Sequence, residues 1–366
     1  MTAHPPSTDK GGFSLNNLFD EAESLVNPPE AQVEAAREAI SDTRVDSAQI
    51  SIPTEPPAFA LPYPGMQITS ETTGNRYTFG TLIGEGAFGY VFHATDLWLN
   101  ELAIKVLKPR GTYEDIRSAA TQEFGKLLNL RHVNVTHVVE AFEYNTTFYI
   151  VTERCNGPVS ILLNSDVFDG RVWLMPIARC LLQAVHFLHL NGYAHQDIHA
   201  GNVFMQTHRD ELGTLDNREP SFTFKLADLG IAKLFSEIDA QNTMLNESML
   251  PPEYLNGDEF GELDHRVDIY HCGLLLLQLY LTKPLSFSHQ QILDGLPRQL
   301  AELVPPPYGP ALSRALRRHV SERTPNALSF WSDLQTPAVA GAVMHQFQAT
   351  LESAVHEKDV SLSGTG

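Results

Sequence analysis

The sequence predicts an α+β protein in which a β-rich part is followed by a helical part. Two patterns carry that reading. After Gly74 the chain runs in short stretches of β-branched and aromatic residues punctuated by Gly and by Asn145-Thr146, the grammar of strands and tight turns. From about Val159 the apolar residues fall at helical spacing, most clearly in RVWLMPIARCLLQAVHFLHLNG, a long amphipathic stretch with Gly192 as its stop.

Taken in order, RYTFGTLIG and YVFHATDLW read as a strand–turn–strand unit and ELAIKVLKP as a third strand. TYEDIRSAATQEFGKLLNL reads as a helix, with Phe124, Leu127, Leu128 and Leu130 at helical spacing. HVVEAFEYNTTFYIVTE reads as two further strands. CGLLLLQLYL, residues 272–281, is the most apolar run; a bilayer span takes about 20 residues, so it reads as a buried helix and no membrane span is expected.

Residues 1–75 differ in kind. They hold eleven Asp and Glu against three Lys and Arg and are rich in Pro, as in NPPEA and IPTEPPAFALPYPG. Such a segment has little apolar surface with which to offset its ordering entropy, so it is expected to be largely disordered, ahead of a domain over 76–346 and a tail over 347–366. FSLNNLFDEAESLV and PPEAQVEAAREAIS carry helix signals within it, and its functional reading is a docking or autoregulatory segment for a regulatory partner. The whole chain has a net charge of −19, which argues against nucleic acid and against anionic membrane surfaces as partners. Cys155, Cys180 and Cys272 lie far apart with no paired spacing, as expected for a reducing, cytoplasmic compartment.

Several short motifs carry chemistry. IGEGAFGYV places Gly84, Gly86 and Gly89 at G-x-G-x-x-G spacing; glycines let backbone N–H groups approach phosphate oxygens. The residues that follow read as strand, which favours a hairpin folded over phosphates over a dinucleotide loop that opens a helix. Lys105 stands among apolar residues in LAIKVL, where an amine needs a carboxylate or an anionic ligand; taken alone it is a surface lysine. Glu123, taken alone a helix-surface acid, is of interest as its partner. YAHQDIHAGNVF sets His195, Asp197, His199 and Asn202 between a helix and a strand. His195-x-Asp197-x-His199 has the elements of a zinc chelate, but nothing nearby completes it. The competing reading makes Asp197 a base and Asn202 a metal-orienting amide. KLADLG places Asp228 before a glycine, a common turn and also a position from which a carboxylate can hold Mg²⁺.

In this order, GEGAFGYV, AIK, HQDIHAGN, DLG and PPE resemble the signature set of eukaryotic-type protein kinases, over roughly residues 77–345. The resemblance implies a two-lobed fold with a β-rich small lobe and a helical large lobe, and an enzyme that moves the γ-phosphate of ATP to a protein hydroxyl, most simply of Ser or Thr. It implies ATP contacts from Ile83, Gly84, Glu85, Gly86, Ala87, Phe88 and Gly89, from Lys105 held by Glu123, from Val91 and Ala103 on the adenine ring, and from Glu153 and Cys155 after Thr152. It makes Asp197 the catalytic base, and Asn202 and Asp228 the ligands of Mg²⁺. Asp268 and Gly273 resemble the start of the central helix of the large lobe, and Arg323 the arginine that pairs with Glu253.

The sequence also departs from the pattern. Gln196 stands where an arginine normally meets a phosphorylated activation loop, so activation through Ser236, Thr243 or Ser248 is not expected. His199 stands where a lysine is usual and would supply a cation when protonated. QTHRDELGTLDNREPS, between Asn202 and Asp228, reads as an insertion in a surface hairpin. HQDIHAGN is similar as well to small-molecule kinases of the aminoglycoside and choline type, and a pseudokinase used as a binding module is a third reading. PPE, DIYHCG and Arg323 speak for a protein substrate, and the joint presence of Lys105, Glu123, Asp197, Asn202 and Asp228 speaks for catalysis.

Overall fold

The computed structural model describes residues 60–86, 89–108, 130–165, 168–208, 221–229, 232–238, 240, 245 and 249–335. These form two compact units, one β-rich and one helical. The β-rich unit is built on a six-stranded sheet in the order β1-β2-β3-β4-β6-β5. Its strands are β1 (Gln67–Thr69), β2 (Arg76–Glu85), β3 (Gly89–Asp96), β4 (Glu101–Leu107), β5 (Val138–Tyr144) and β6 (Thr147–Glu153). All neighbours are antiparallel, so the β2–β3, β3–β4 and β5–β6 connections are hairpins. Asn145 and Thr146 both take positive φ, 46° and 62°, the conformation a two-residue hairpin turn requires.

Alternation along β4 decides which face is core. Leu102, Ile104 and Val106 are buried, whereas Ala103 and Lys105 between them are half-buried. The buried set packs with Phe79, Phe92, Phe142, Tyr149 and Val151, and Phe142 stacks on Tyr149 at 5.6 Å between ring centroids. Full burial of each such side chain is worth about 1.5–3 kcal/mol, which fixes the register of every strand against slippage.

The folded unit begins earlier than residue 76. Residues 60–75 belong to the structure: β1 pairs with β2 through Ile68↔Tyr77, and Ile68 lies in the core. A buried carboxyl group explains how so short a strand is held. Glu140 on β5 accepts hydrogen bonds from Ser70 Oγ (3.0 Å), Thr73 Oγ1 (2.8 Å), Asn75 Nδ2 (3.2 Å) and the Tyr77 hydroxyl. Burial and then the Glu140 contact push the Tyr77 phenol well above its ordinary pKa, so it remains a donor. Residues 1–59 and the expected tail at 347–366 lie outside the described residues.

The helical unit opens with α1 (Val159–Leu163) and α2 (Gly170–Leu190). Asp169 caps α2 by accepting from Arg171 N–H at 3.0 Å, as an N-terminal acidic cap does. After β8 (Tyr193–Ala194) come β9 (Val203–His208), most of which belongs to the β-rich unit, and β10 (Ser221–Leu226), which begins there; the two are neighbours in a three-stranded sheet with β7 (Gly157–Pro158). The expected surface hairpin therefore has paired flanks; its interior, 209–220, lies outside the described residues. β11 (Lys233–Leu234) pairs with β8. Then follow α3 (Pro252–Leu255), α4 (Gly257–Phe260), α5 (Val267–Leu281), α6 (His289–Leu293), α7 (Leu296–Glu302), α8 (Tyr308–Ala315) and α9 (Ala327–Gln335).

Helix α5 contains the apolar run and is buried along nearly its whole length. It packs against α2 and α8, and a Cβ at Gly273 would stand 3.0 Å from Leu316 Cγ, so glycine keeps that close approach free of crowding. Among the described residues α2 is long and apolar enough to cross a membrane by length and composition. Its apolar stripe, Leu174, Ile177, Leu181, Val185 and Leu188, is buried and packs on α5 and α9.

Glu253 and Arg323 meet as expected. Arg323 Nη1 and Nη2 each donate to one carboxylate oxygen of Glu253 at 2.7 Å, with both side chains fully buried. The rest of the guanidinium is satisfied by the carbonyls of Arg266, Arg317 and Arg318 and lies over the Tyr270 ring. Removing one partner of such a pair strands the other charge in the core at a cost of about 3–5 kcal/mol. Arg323→Ala should therefore lower the unfolding free energy by that much in urea titration, while an unchanged midpoint would show that the pair adds nothing. In the β-rich unit Glu140→Ala should cost roughly 2–4 kcal/mol, because buried donors on Ser70 and Tyr77 lose their acceptor; the same titration, with protease sensitivity at residues 60–75, checks it.

Candidate active site

Each unit holds its own share of the expected site residues. In the β-rich unit the cross-strand register sets Gly84 opposite Val91, Val91 opposite Lys105, and Lys105 opposite Ile150. Directly opposed residues share a sheet face, so Gly84, Val91 and Lys105 lie on one face together with Ala103, two residues before Lys105. That face is the one opposite Leu102, Ile104 and Val106.

The glycine-rich segment is the turn of the β2–β3 hairpin. Gly86 N–H donates to Gly89 O at 2.9 Å and closes it. A Cβ at Gly89 would stand 2.6 Å from Val106 O, whereas one at Gly86 would meet nothing within 4 Å among the described residues. Gly89 is thus required by the neighbouring strand, and the backbone at Gly86 is open to an approaching group. Glu85 is paired with Lys108 at 2.7 Å, and Ile83 is exposed. Glu153 ends β6; its N–H donates to His137 O and its Oε1 accepts from His137 N–H at 2.7 Å. Cys155 is partly exposed. Ala87, Phe88 and Glu123 lie outside the described residues, so the expected Lys105–Glu123 pair does too.

In the helical unit Asp197, Asn202 and Asp228 are tied to one backbone network. Asp268, fully buried on α5, accepts from the N–H groups of His195 (2.8 Å) and Gln196 (2.7 Å) and from His189 Nε2 (2.9 Å). Burial raises its pKa, but the hydrogen bond from His189 and the charge around it prevail and hold the carboxyl below the ordinary Asp range. His195 is fully buried with both ring nitrogens used: Nδ1 accepts from Asp197 N–H (3.2 Å) and Nε2 donates to Ala227 O (3.0 Å). That excludes it as a zinc ligand. Among the described residues no group of three His, Cys, Asp or Glu is placed to hold a metal ion. Ala227 N–H in turn donates to Asn202 O at 2.8 Å, which fixes the residue preceding Asp228. Asp228 itself is exposed at φ 58°, left-handed backbone that a non-glycine residue seldom adopts.

Asn202 Nδ2 donates to the backbone O (2.9 Å) and to Oδ2 (3.0 Å) of Asp197. Its own side-chain oxygen is thereby turned away from Asp197. The donor set of Asn202 Oδ1 and the Asp228 carboxylate is hard oxygen, which fits Mg²⁺ completed by phosphate and water ligands. Burial pushes the Asp197 pKa up, and the His199 side chain facing it outweighs that and keeps the carboxyl below the ordinary range. His199 Nε2 stands 3.6 Å from Asp197 Oδ1. The motif reading found Asp197, Asn202 and Asp228 but missed His189, which ends α2 against Asp268; a histidine in the last turn of an otherwise apolar helix face was its one visible signal.

Residues 77–329, more than half of the chain, match the model of the protein kinase domain family. The chain is 28% identical over 291 residues to the serine/threonine-protein kinase pkn3 of Myxococcus xanthus, covering 74% of this chain and 51% of that protein. It is 29% identical over 247 residues to the serine/threonine-protein kinase ppk11 of Schizosaccharomyces pombe, covering 66% of this chain and 71% of that protein. To the CTD kinase subunit alpha of the same yeast it is 24% identical over 294 residues, or 78% of this chain and 45% of that protein. The chain spans about half or less of the length of the first curated relatives it matches. With a glycine hairpin and strand lysine in one unit, a catalytic-loop network in the other, and a family match running through both, the chain belongs to the protein kinase family.

Proposed function

We propose that the protein transfers the γ-phosphate of ATP to a serine or threonine hydroxyl of a protein substrate. The observation that carries this reading is the network in which Asp268 and His195 fix the loop that carries Asp197 and Asn202, and Asn202 fixes Ala227, the residue before Asp228. Such a network supports reading Asp197 as a base and Asn202 and Asp228 as metal-binding groups on a preorganised backbone, the condition for phosphoryl transfer by positioning and electrostatics.

On this reading the open backbone at Gly86 approaches the phosphates, Lys105 contacts their oxygens, and Val91 and Ala103 pack on the adenine from the same sheet face. Asn202 and Asp228 would hold Mg²⁺, which would supply positive charge to the phosphates. Asp197 orients the acceptor hydroxyl and receives its proton. The buried Glu253–Arg323 pair and the kinase family match favour a protein substrate over a small molecule. Residues 1–59 remain the candidate docking segment for a regulatory partner.

Labelled ATP-Mg²⁺ incubated with casein and histone, followed by phosphoamino-acid analysis, should give phosphoserine or phosphothreonine. Lys105→Met and Asp197→Asn should each reduce transfer by more than about a hundredfold, the scale of losing one preorganised electrostatic contact, with melting temperatures unchanged. Near-normal turnover in either variant would refute the assignment. Gln196 is uncharged, fully buried and without a hydrogen bond to its side-chain amide, so it cannot receive a loop phosphate as an arginine would. The triple variant Ser236→Ala, Thr243→Ala, Ser248→Ala should keep its rate within about tenfold of the parent, or 1.4 kcal/mol of barrier; a larger loss would show that a loop phosphate is needed.

A further inference from the structure

Asp197 is gripped unevenly in the structure. Its Oδ2 accepts from Asn202 Nδ2 at 3.0 Å, whereas its Oδ1 is sealed from solvent without a hydrogen-bond partner. The group standing over Oδ1 is the His199 ring, with Nε2 at 3.6 Å. The orientation of that ring is built in. Gly201 N–H donates to His199 Nδ1 at 3.0 Å, which assigns the ring proton to Nε2, on the edge facing Asp197. A Cβ at residue 201 would lie 2.8 Å from His199 Cε1 and 2.9 Å from Nδ1, so the ring rests where only glycine leaves room. Asn202 N–H donates to His199 O at 2.9 Å and closes the same turn. One turn, residues 199–202, thus delivers a donor to each oxygen of Asp197.

We propose that His199 is a positioning residue for the transfer: it caps Oδ1 of Asp197 with its Nε2–H edge and leaves Oδ2 as the carboxylate edge offered to the acceptor hydroxyl. This rests on the kinase reading and deepens it. The hydroxyl oxygen forms a bond to the γ-phosphorus as the bond to the β–γ bridging oxygen breaks, whose electron pair stays on ADP. The hydroxyl proton passes to Oδ2. Catalytic contacts that are long in the free enzyme tighten in the reacting complex, and a shift from 3.6 Å to hydrogen-bonding distance needs only a small ring movement. Without the cap, Asp197 can turn either oxygen outward and water can reach Oδ1. A misaligned carboxylate then slows transfer to the protein hydroxyl and favours water as the acceptor.

The test uses the full chain, Mg²⁺-ATP and casein, with phosphate transferred to casein and phosphate released to water measured side by side. His199→Ala should lower kcat for casein about tenfold or more, leave KM for ATP within about twofold, and raise hydrolysis per phosphate transferred several-fold. His199→Gln, which keeps a side-chain N–H of similar reach, should bring that ratio back toward the parent. Gly201→Ala, which displaces the ring without altering it, should shift the ratio in the same direction as His199→Ala. The proposal is overturned if His199→Ala keeps the parent kcat and ratio, if its loss appears wholly as a higher KM for ATP, or if Gln behaves as Ala. If His199→Ala does not fold, by melting temperature, the Gln and Gly201→Ala variants decide. A parent protein that moves no label to casein or to itself would overturn the kinase reading instead.

Discussion

The helical unit depends on one buried carboxylate. Asp268 sits on the most thoroughly buried helix and spends its two oxygens on the backbone of residues 195 and 196 and on His189. Gln196 has φ 68°, a left-handed backbone that costs of order 1 kcal/mol or more outside glycine. Two charge-assisted bonds to adjacent amides hold it there. Once that kink is fixed, the His195 ring reaches Ala227, Ala227 reaches Asn202, and Asn202 reaches Asp197. Because the Asp268 pKa is depressed on folding, its contribution is complete above the ordinary Asp value of about 3.9 and declines only as pH falls through the lower folded value. The anchor is therefore at full strength at neutral pH.

The β-rich unit meets the same need by another route. Its strands are set by alternation, which puts Val91, Ala103 and Lys105 on one face as a consequence of burying Leu102, Ile104 and Val106 on the other. The register that fills the core also sets the face on which Lys105 stands. Glu140 has a local task at the sheet edge: it secures β1, whose three residues bury a single large side chain. Both units thus keep a buried acid fully supplied with donors, the arrangement under which a buried polar group stabilises rather than costs.

How much of this was legible in the sequence follows from the range of each interaction. The β2 to β6 strands and α2 were readable because alternation and helical spacing are local signals. β1 was not, since it lies in a Pro-rich, acidic stretch and is held by a carboxyl group 70 residues away from Ser70. The catalytic loop was readable as a motif, and the order of motifs carried the family. Its wiring was not: that His195 would use both nitrogens, or that Gly201 would seat His199, depends on which way each ring turns. The Arg323–Glu253 pair was legible only through the resemblance, since nothing local links two residues so far apart in the chain.

The two departures flanking Asp197 belong together. Gln196 on one side is neutral and buried; His199 on the other accepts at Nδ1 and presents a single N–H. Where the family resemblance leads one to expect an arginine and a lysine, this chain has a buried neutral amide without a hydrogen-bond partner and a ring seated by a backbone hydrogen bond. On the proposed reading, Asp197 is then held by geometry. A hydrogen-bond clamp is short-ranged and directional, whereas a lysine acts as a flexible point charge. The loop is therefore expected to tolerate little displacement of its backbone, and it is this backbone that Asp268, His195 and Ala227 hold in place.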